Sequence, residues 1–237
     1  MSATALEYPR EYVEIGSCEL VEKENAVEFR LLFDGEIGSD SRAPIKQAIR
    51  RALHPQLRRL WLVNRKLREL AEHYGRTFHA RMQTQTGQTP IYPSQDEAIE
   101  FAFQHWGNTW NRAPFRFVPL VTKELGVVCS IDILLLRPDD DTYVTVHGDL
   151  DGHVKTLFDG LRMPSKQDET GNSSPTADED PFFCLLEDDR LVSELRVKSE
   201  KLLLPPNKPT VKKHDAFAVI TVNINHKYPG TFSQWFA

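Results

Sequence analysis

Two aspartates, Asp149 and Asp151, stand two residues apart in GDLDGHVKTLFDGL (148–161), and Lys155 follows four residues after the second. Further along, Glu187, Asp188 and Asp189 run together just ahead of RLVSELRVKSE (190–200). Carboxylates are ligands for hard divalent cations, and Mg²⁺ keeps several waters, so about two to four carboxylates suffice for a site. A lysine one helical turn beyond such ligands can reach a phosphate or an attacking water. The same residues also have a plain structural use. Asp149 can cap a helix by accepting from its first free N–H groups, and Asp151 with Lys155 can form a surface ion pair worth about 0.3–0.5 kcal/mol. Consecutive acids at a strand entrance repel one another without a macrodipole to offset them, which favours a use for their charge.

These residues need elements to hold them. Val154, Leu157, Phe158 and Leu161 recur at helical spacing and predict an amphipathic helix that buries all four. The second acidic group is expected at the entrance of a strand over 190–204. Further strands are expected over 26–35, 115–121, 125–137 and 216–225, with a short one at 142–146. The link between 121 and 127 reads as a hairpin. Pro55 divides a helical pattern into a short helix near 45–53 and a longer one over 56–73. In the longer helix Leu57, Leu60, Trp61, Asn64, Leu67 and Ala71 mark the buried face. Ser94 and Glu97 form a capping box for a helix that runs through Ile99, Phe103 and Trp106. The stretches 81–93 and 205–215 read as polar loops, and 162–184 as a long, mobile insertion. The expected class is α+β (mixed α/β), with helices packed on a mixed sheet of about five strands. One domain covers 26–237, preceded by a polar arm over 1–25.

Composition sets outer bounds. Hydrophobic residues are 40% and charged residues 27% of the 237, ordinary values for a globular domain. No run of about 18 apolar residues exists, so no membrane partner is expected. The first residues lack a basic-then-apolar signal pattern, which points to a cytoplasmic chain. Cys18, Cys129 and Cys184 lie far apart and form no zinc-ribbon pair. The histidines make no HxH or HExxH pattern, and neither GxSxG nor a Walker A motif occurs, which disfavours zinc hydrolase, serine hydrolase and P-loop chemistry. Net charge is −5, yet between Arg42 and Arg81 only Glu69 and Glu72 oppose a series of lysines and arginines. Arg58 with Arg65, and Arg59 with Lys66, are seven apart and stack along one expected helix, as a solvated face or as phosphate contacts.

The sequence GDLDGHVKTLFDGL followed by LLEDDRLVSELRVKSE resembles the RusA-like family of Holliday-junction resolvases. The matching residues are Asp149, Asp151, Lys155, Asp159, Asp188, Asp189 and Lys198. The likeness covers roughly 127–225 and, more faintly, the first strand and the basic helices. It implies a RusA-like fold and a homodimeric endonuclease that uses Mg²⁺, with Mn²⁺ as a substitute, to hydrolyse phosphodiesters in branched DNA during recombination and repair. By residue, it implies that Asp149, Asp151 and Asp189 bind metal with Asp188 as a fourth acid, that Lys155 assists catalysis, and that Lys198 lies on the DNA-facing strand. The sequence departs from the family pattern at Gly152, where an asparagine is usual, and in the length of the 162–184 insertion. The alternative is a non-catalytic DNA-binding or interaction protein that keeps the fold.

Overall fold

Apolar residues at every second position make VEFRLLFDGE the first strand, β1 (Val27–Glu36), with Val27, Phe29, Leu31 and Phe33 buried and their neighbours, Leu32 included, exposed. The computed structural model describes residues 27–38, 42–87, 93–138, 150–203 and 215–226. The polar arm over 1–25 and the expected strand at 142–146 lie outside the described residues.

The class is mixed α+β, but the expected single sheet is two sheets. The larger takes the order β1-β7-β4-β6, with β4 Val127–Pro138, β6 Val192–Leu202 and β7 Asp215–His226. In it β7 runs antiparallel to β1 and β4, while β4 and β6 are parallel. The smaller sheet orders β2 (Trp110–Arg112), β3 (Phe115–Val121) and β5 (Phe182–Leu186). The expected hairpin between β3 and β4 is therefore a hand-over between sheets. Gly126 turns the chain at φ 68°, and the Val121 carbonyl accepts from Glu187 N instead of closing a ladder with β4 (3.0 Å).

Among the described residues four α-helices accompany the sheets: α1 (Ala43–Val63), α2 (Arg65–Gln85), α3 (Gln95–Thr109) and α4 (Leu150–Leu161). Pro55 does not divide α1. It sits exposed on the outer side while Leu53, His54 and Leu57 bury the other. The break falls at Asn64, whose extended backbone (φ −74°, ψ 120°) ends α1, and whose side chain caps α2 by accepting from Leu67 N (3.1 Å). Helix α2 then runs on to Gln85, well past the expected end near 73. The capping box of α3 is present, with Glu97 accepting from Ser94 N (2.9 Å). Helices α2 and α3 pack closely at Gly75, where a Cβ would lie 1.9 Å from the Ala98 carbonyl oxygen. A core of Trp61, Phe103, Trp106, Phe115, Phe117, Phe182 and Phe183 joins α1 and α3 to the smaller sheet.

The insertion is ordered. Two short 3₁₀ turns, Gln167–Thr170 and Ala177–Glu179, lie against α1. Arg50 is wholly buried and spreads its fork over backbone carbonyls. Its Nε donates to Arg162 O (3.0 Å), Nη1 to Glu169 O (3.0 Å) and Nη2 to Asp159 O (2.6 Å). The next residue, Arg51, pairs with Glu179 (2.8 Å) and donates to Ser174 O (2.8 Å). His54 Nε2 lies 2.9 Å from Asp178 O, while its Nδ1 accepts from Phe183 N (2.8 Å). A polar segment that lacks apolar periodicity is thus held by charge-assisted bonds from a helix distant in sequence.

Candidate metal and nucleic-acid site

Strands β3 and β5 run parallel side by side, and Leu186 ends the second at the level of Val121. The chain then crosses to the larger sheet. Asp188 caps the short 3₁₀ turn Asp189–Leu191, accepting from Arg190 N (3.0 Å), and β6 starts beside Cys129. Crossing between sheets, rather than continuing a strand, is what exposes two neighbouring acids here. They border an open cavity of about 380 Å³ with Glu187, Arg162, Ser165 and Arg190.

The two acids are not equivalent. Arg190 grips Asp188 with both ends of its fork (2.9 and 2.6 Å). That hydrogen bonding holds the Asp188 carboxyl well below the usual carboxylate range. Lys123 stands 4.0 Å away on another side. Asp189 is exposed, and among the described residues no lysine or arginine forms an ion pair with its carboxylate. It borders the same cavity as Asp188. Adjacent oxygens of this kind suit a hard cation that retains most of its water.

The other half of the acidic motif stands elsewhere. Thr156 Oγ1 donates to Gly38 O (2.7 Å), just beyond the end of β1. That end is level with the start of β7 and the C-terminal end of β4. The first half of α4 therefore lies at the far end of β4 from Asp189. The other end of α4 leads to Arg162, which bridges Leu186. About 16 Å of helix separates Asp151 from Arg162 at ~1.5 Å per residue. Asp151 and Lys155 are both exposed and form no ion pair with each other among the described contacts. Asp149 and His147 lie outside the described residues, as do Lys212 to His214. Among the described residues no group of three His, Cys, Asp or Glu side chains could hold a metal ion.

Helix α4 is also rotated from its expected setting. Its buried face is His153, Thr156, Leu157, Gly160 and Leu161, leaving Val154 and Phe158 only half-buried. Gly160 is the reason. A Cβ there would lie 2.5 Å from Ile49 Cγ2, so α4 presses its glycine face onto α1. Asp159, which matches the family pattern, is tied to Lys46 (2.7 Å) and Arg162 (3.0 Å) and serves the packing of α4.

The basic residues also divide. Arg58 and Arg59 lie on α1, while Arg65 and Lys66 begin α2, so the break at Asn64 removes their common helical row. Arg58 borders a second cavity, of about 460 Å³, with Arg68, Asp96 and Phe103. Arg65 is 3.9 Å from Glu69, with its side chain 78% exposed. Lys198, on the exposed edge strand β6, pairs with Glu200 (2.5 Å). Asp132 is exposed on the open face of the larger sheet, level with Thr221 and Arg196. Cys129 and Cys184 are buried free thiols, and burial pushes both up, so neither offers a thiolate nucleophile.

Sequence reasoning missed Arg190 and Arg162 as the cations around Asp188 and Asp189. Arg190 carried a local signal, since it follows Asp188 by two residues. Arg162 carried none. No family model, characterised protein or solved structure matches the chain. No described helix is long and apolar enough to cross a membrane.

Proposed function

We propose that the chain is a divalent-metal-dependent endonuclease that hydrolyses phosphodiesters in branched DNA such as Holliday junctions, acting as a homodimer in recombination or repair. The observation that supports this reading best is the Asp188–Asp189 pair, set at an open cavity beside Arg162 and Arg190. Asp189, with Asp188 once Arg190 yields it, would hold Mg²⁺ or Mn²⁺ at this cavity. When bound, such an ion activates water and stabilises the leaving oxygen. Around it, Arg190 and Arg162 orient the phosphate. Their charge also neutralises what develops on it, which stabilises the transition state more than the ground state. Arg58, Arg59, Arg65, Lys66 and Lys198 hold flanking phosphates.

Cleavage of a four-way junction in Mg²⁺, Mn²⁺ and EDTA, by wild type and Asp189→Asn, tests the proposal. Wild type should cut only with metal. Asp189→Asn should lose cutting by orders of magnitude and keep or improve binding, because a repulsive charge near phosphate is gone. Full activity in Asp189→Asn overturns the assignment. A second reading, a non-catalytic DNA-binding or interaction protein, draws on the Arg190 grip on Asp188 and on the distance of Asp151 from Asp189. Metal-independent binding of junctions without any cutting would favour it.

A further inference from the structure

We propose that two copies of the chain join edge to edge through β6, antiparallel, with Ser199 on the two-fold axis, so that their four-stranded sheets become one. The proposal rests on the homodimer of the reading above and not on its chemistry. Both outer strands of the larger sheet are long, with ten residues in β1 and eleven in β6. Their edges differ. At β1 the Gln56 amide occupies the outward backbone of Leu32, accepting from its N–H (2.9 Å) and donating to its carbonyl (2.7 Å). Among the described residues no strand pairs with the outer side of β6, and no side chain bonds the backbone of 194–200. Outward N–H and C=O groups left in this way are a template for another strand.

The side chains fit a second copy. Leu195 lies on the face of buried Ile131 and Ile133, yet is 43% exposed at the edge. Leu203, eight residues on and just past the strand, falls on the same face by alternation and is 80% exposed. On the open face Glu194, Arg196, Lys198 and Glu200 are all exposed.

These charges choose the register. In an antiparallel pair about a two-fold axis, residues equally far from the axis residue on either side stand opposite each other. An axis at Arg196, Lys198 or Glu200 sets a like charge on itself. One at Val197 sets Glu194 on Glu200 and Arg196 on Lys198. One at Leu195 pairs Glu194 with Arg196, but it ends the ladder against the 3₁₀ turn Asp189–Leu191 and leaves Leu203 uncovered. An axis at Ser199 sets Lys198 against the partner's Glu200 and Leu195 against the partner's Leu203, each twice. The remaining pairs, Val197 with Lys201 and Arg196 with Leu202, set no like charges together. Lys198 and Glu200 already pair within one chain, so four side chains alternate in sign around the axis. Joining through the backbone keeps them on the open face, where an ammonium with three donors can also meet a phosphate.

Sedimentation velocity of wild type, Lys198→Glu, Glu200→Lys and the double swap, at one concentration, tests the register. The wild type should be a dimer. Each single change sets like charges opposite across the axis and should give monomer, and the double swap should restore the dimer. Both side chains are exposed, so the fold of the single chain is kept. Ser199→Cys should form a disulfide between copies under mild oxidation, because opposed Cα atoms of an antiparallel pair lie about 4.5–5.5 Å apart. Ser193→Cys, six residues from the axis, should not. A monomeric wild type, a dimer that the single changes leave intact, a double swap that stays monomeric, or Ser199→Cys that stays unlinked overturns the proposal. The junction assay is read separately. A wild type that cuts leaves the nuclease reading standing in each of these cases, while a β6-linked dimer that cuts no branched DNA overturns that reading alone.

Discussion

Replacing Arg50 with methionine should cost the protein about 3–5 kcal/mol of stability, the range found when one partner of a buried charged network is removed. Methionine fills the aliphatic part of the space but donates nothing. The carbonyls of Asp159, Glu169 and Arg162 then lose their donors at 2.6, 3.0 and 3.0 Å. A buried acceptor left unpaired costs roughly 1–3 kcal/mol, so three of them outweigh the relief of no longer burying a cation. That relief is real, since burial lowers the Arg50 pKa to about 10 while leaving it charged at neutral pH. Arg50→Lys is the control. It keeps the charge, but a single ammonium lacks the planar fork that reaches three carbonyls, so it should fall between wild type and methionine. Urea denaturation at pH 7 gives the loss, and limited proteolysis should show new cuts between residues 163 and 181. A loss below about 1 kcal/mol with the insertion still protected would refute the reasoning, because the carbonyls would then have found other donors.

His54 gives a pH prediction. Burial lowers its folded pKa below the ordinary value, and Nδ1 must stay unprotonated to accept from Phe183 N. Its contribution is therefore fully present above the unfolded pKa of about 6.5 and is lost as pH falls through the folded value. Urea midpoints at successive pH values should show this loss in wild type but not in His54→Gln. Gly160→Ala should destabilise by about 1–3 kcal/mol in a thermal melt through its clash with Ile49 Cγ2 and Cβ. Neutralising Arg59 and Arg65 should weaken binding to all DNA sequences alike and flatten the salt dependence by about one unit of slope per lost contact. An unchanged slope would assign both to solvated surface.

Several elements were legible because their signals are local. The runs of β-forming residues in β1 and β7, and the Ser94–Glu97 capping box of α3, needed only neighbouring residues. The break at Asn64 was not legible because a proline inside the pattern is the stronger local helix-breaking signal. An exposed proline can remain inside a long helix, while an asparagine side chain free to accept from Leu67 N begins a new one. The insertion read as mobile because its composition offers little apolar surface. Its order comes from Arg50, Arg51 and His54, more than a hundred residues earlier, and no window along the chain contains both partners.

By itself the sequence determined the α+β class, most strand positions, the helix that carries Asp151 and Lys155, and the neighbouring pair Asp188 and Asp189. These depend on periodicity and on short spacings, which the backbone geometry of helices and strands converts directly into faces and ends. Only the tertiary structure decided that β3 and β4 part into two sheets, which face α4 buries, and that Asp151 and Asp189 stand at opposite ends of one helix. The connection from β4 to the parallel β6 must carry the chain back along their length, and α4 makes its first part, so groups at the start of α4 and at the entrance of β6 are separated by that length however close their motifs look in sequence.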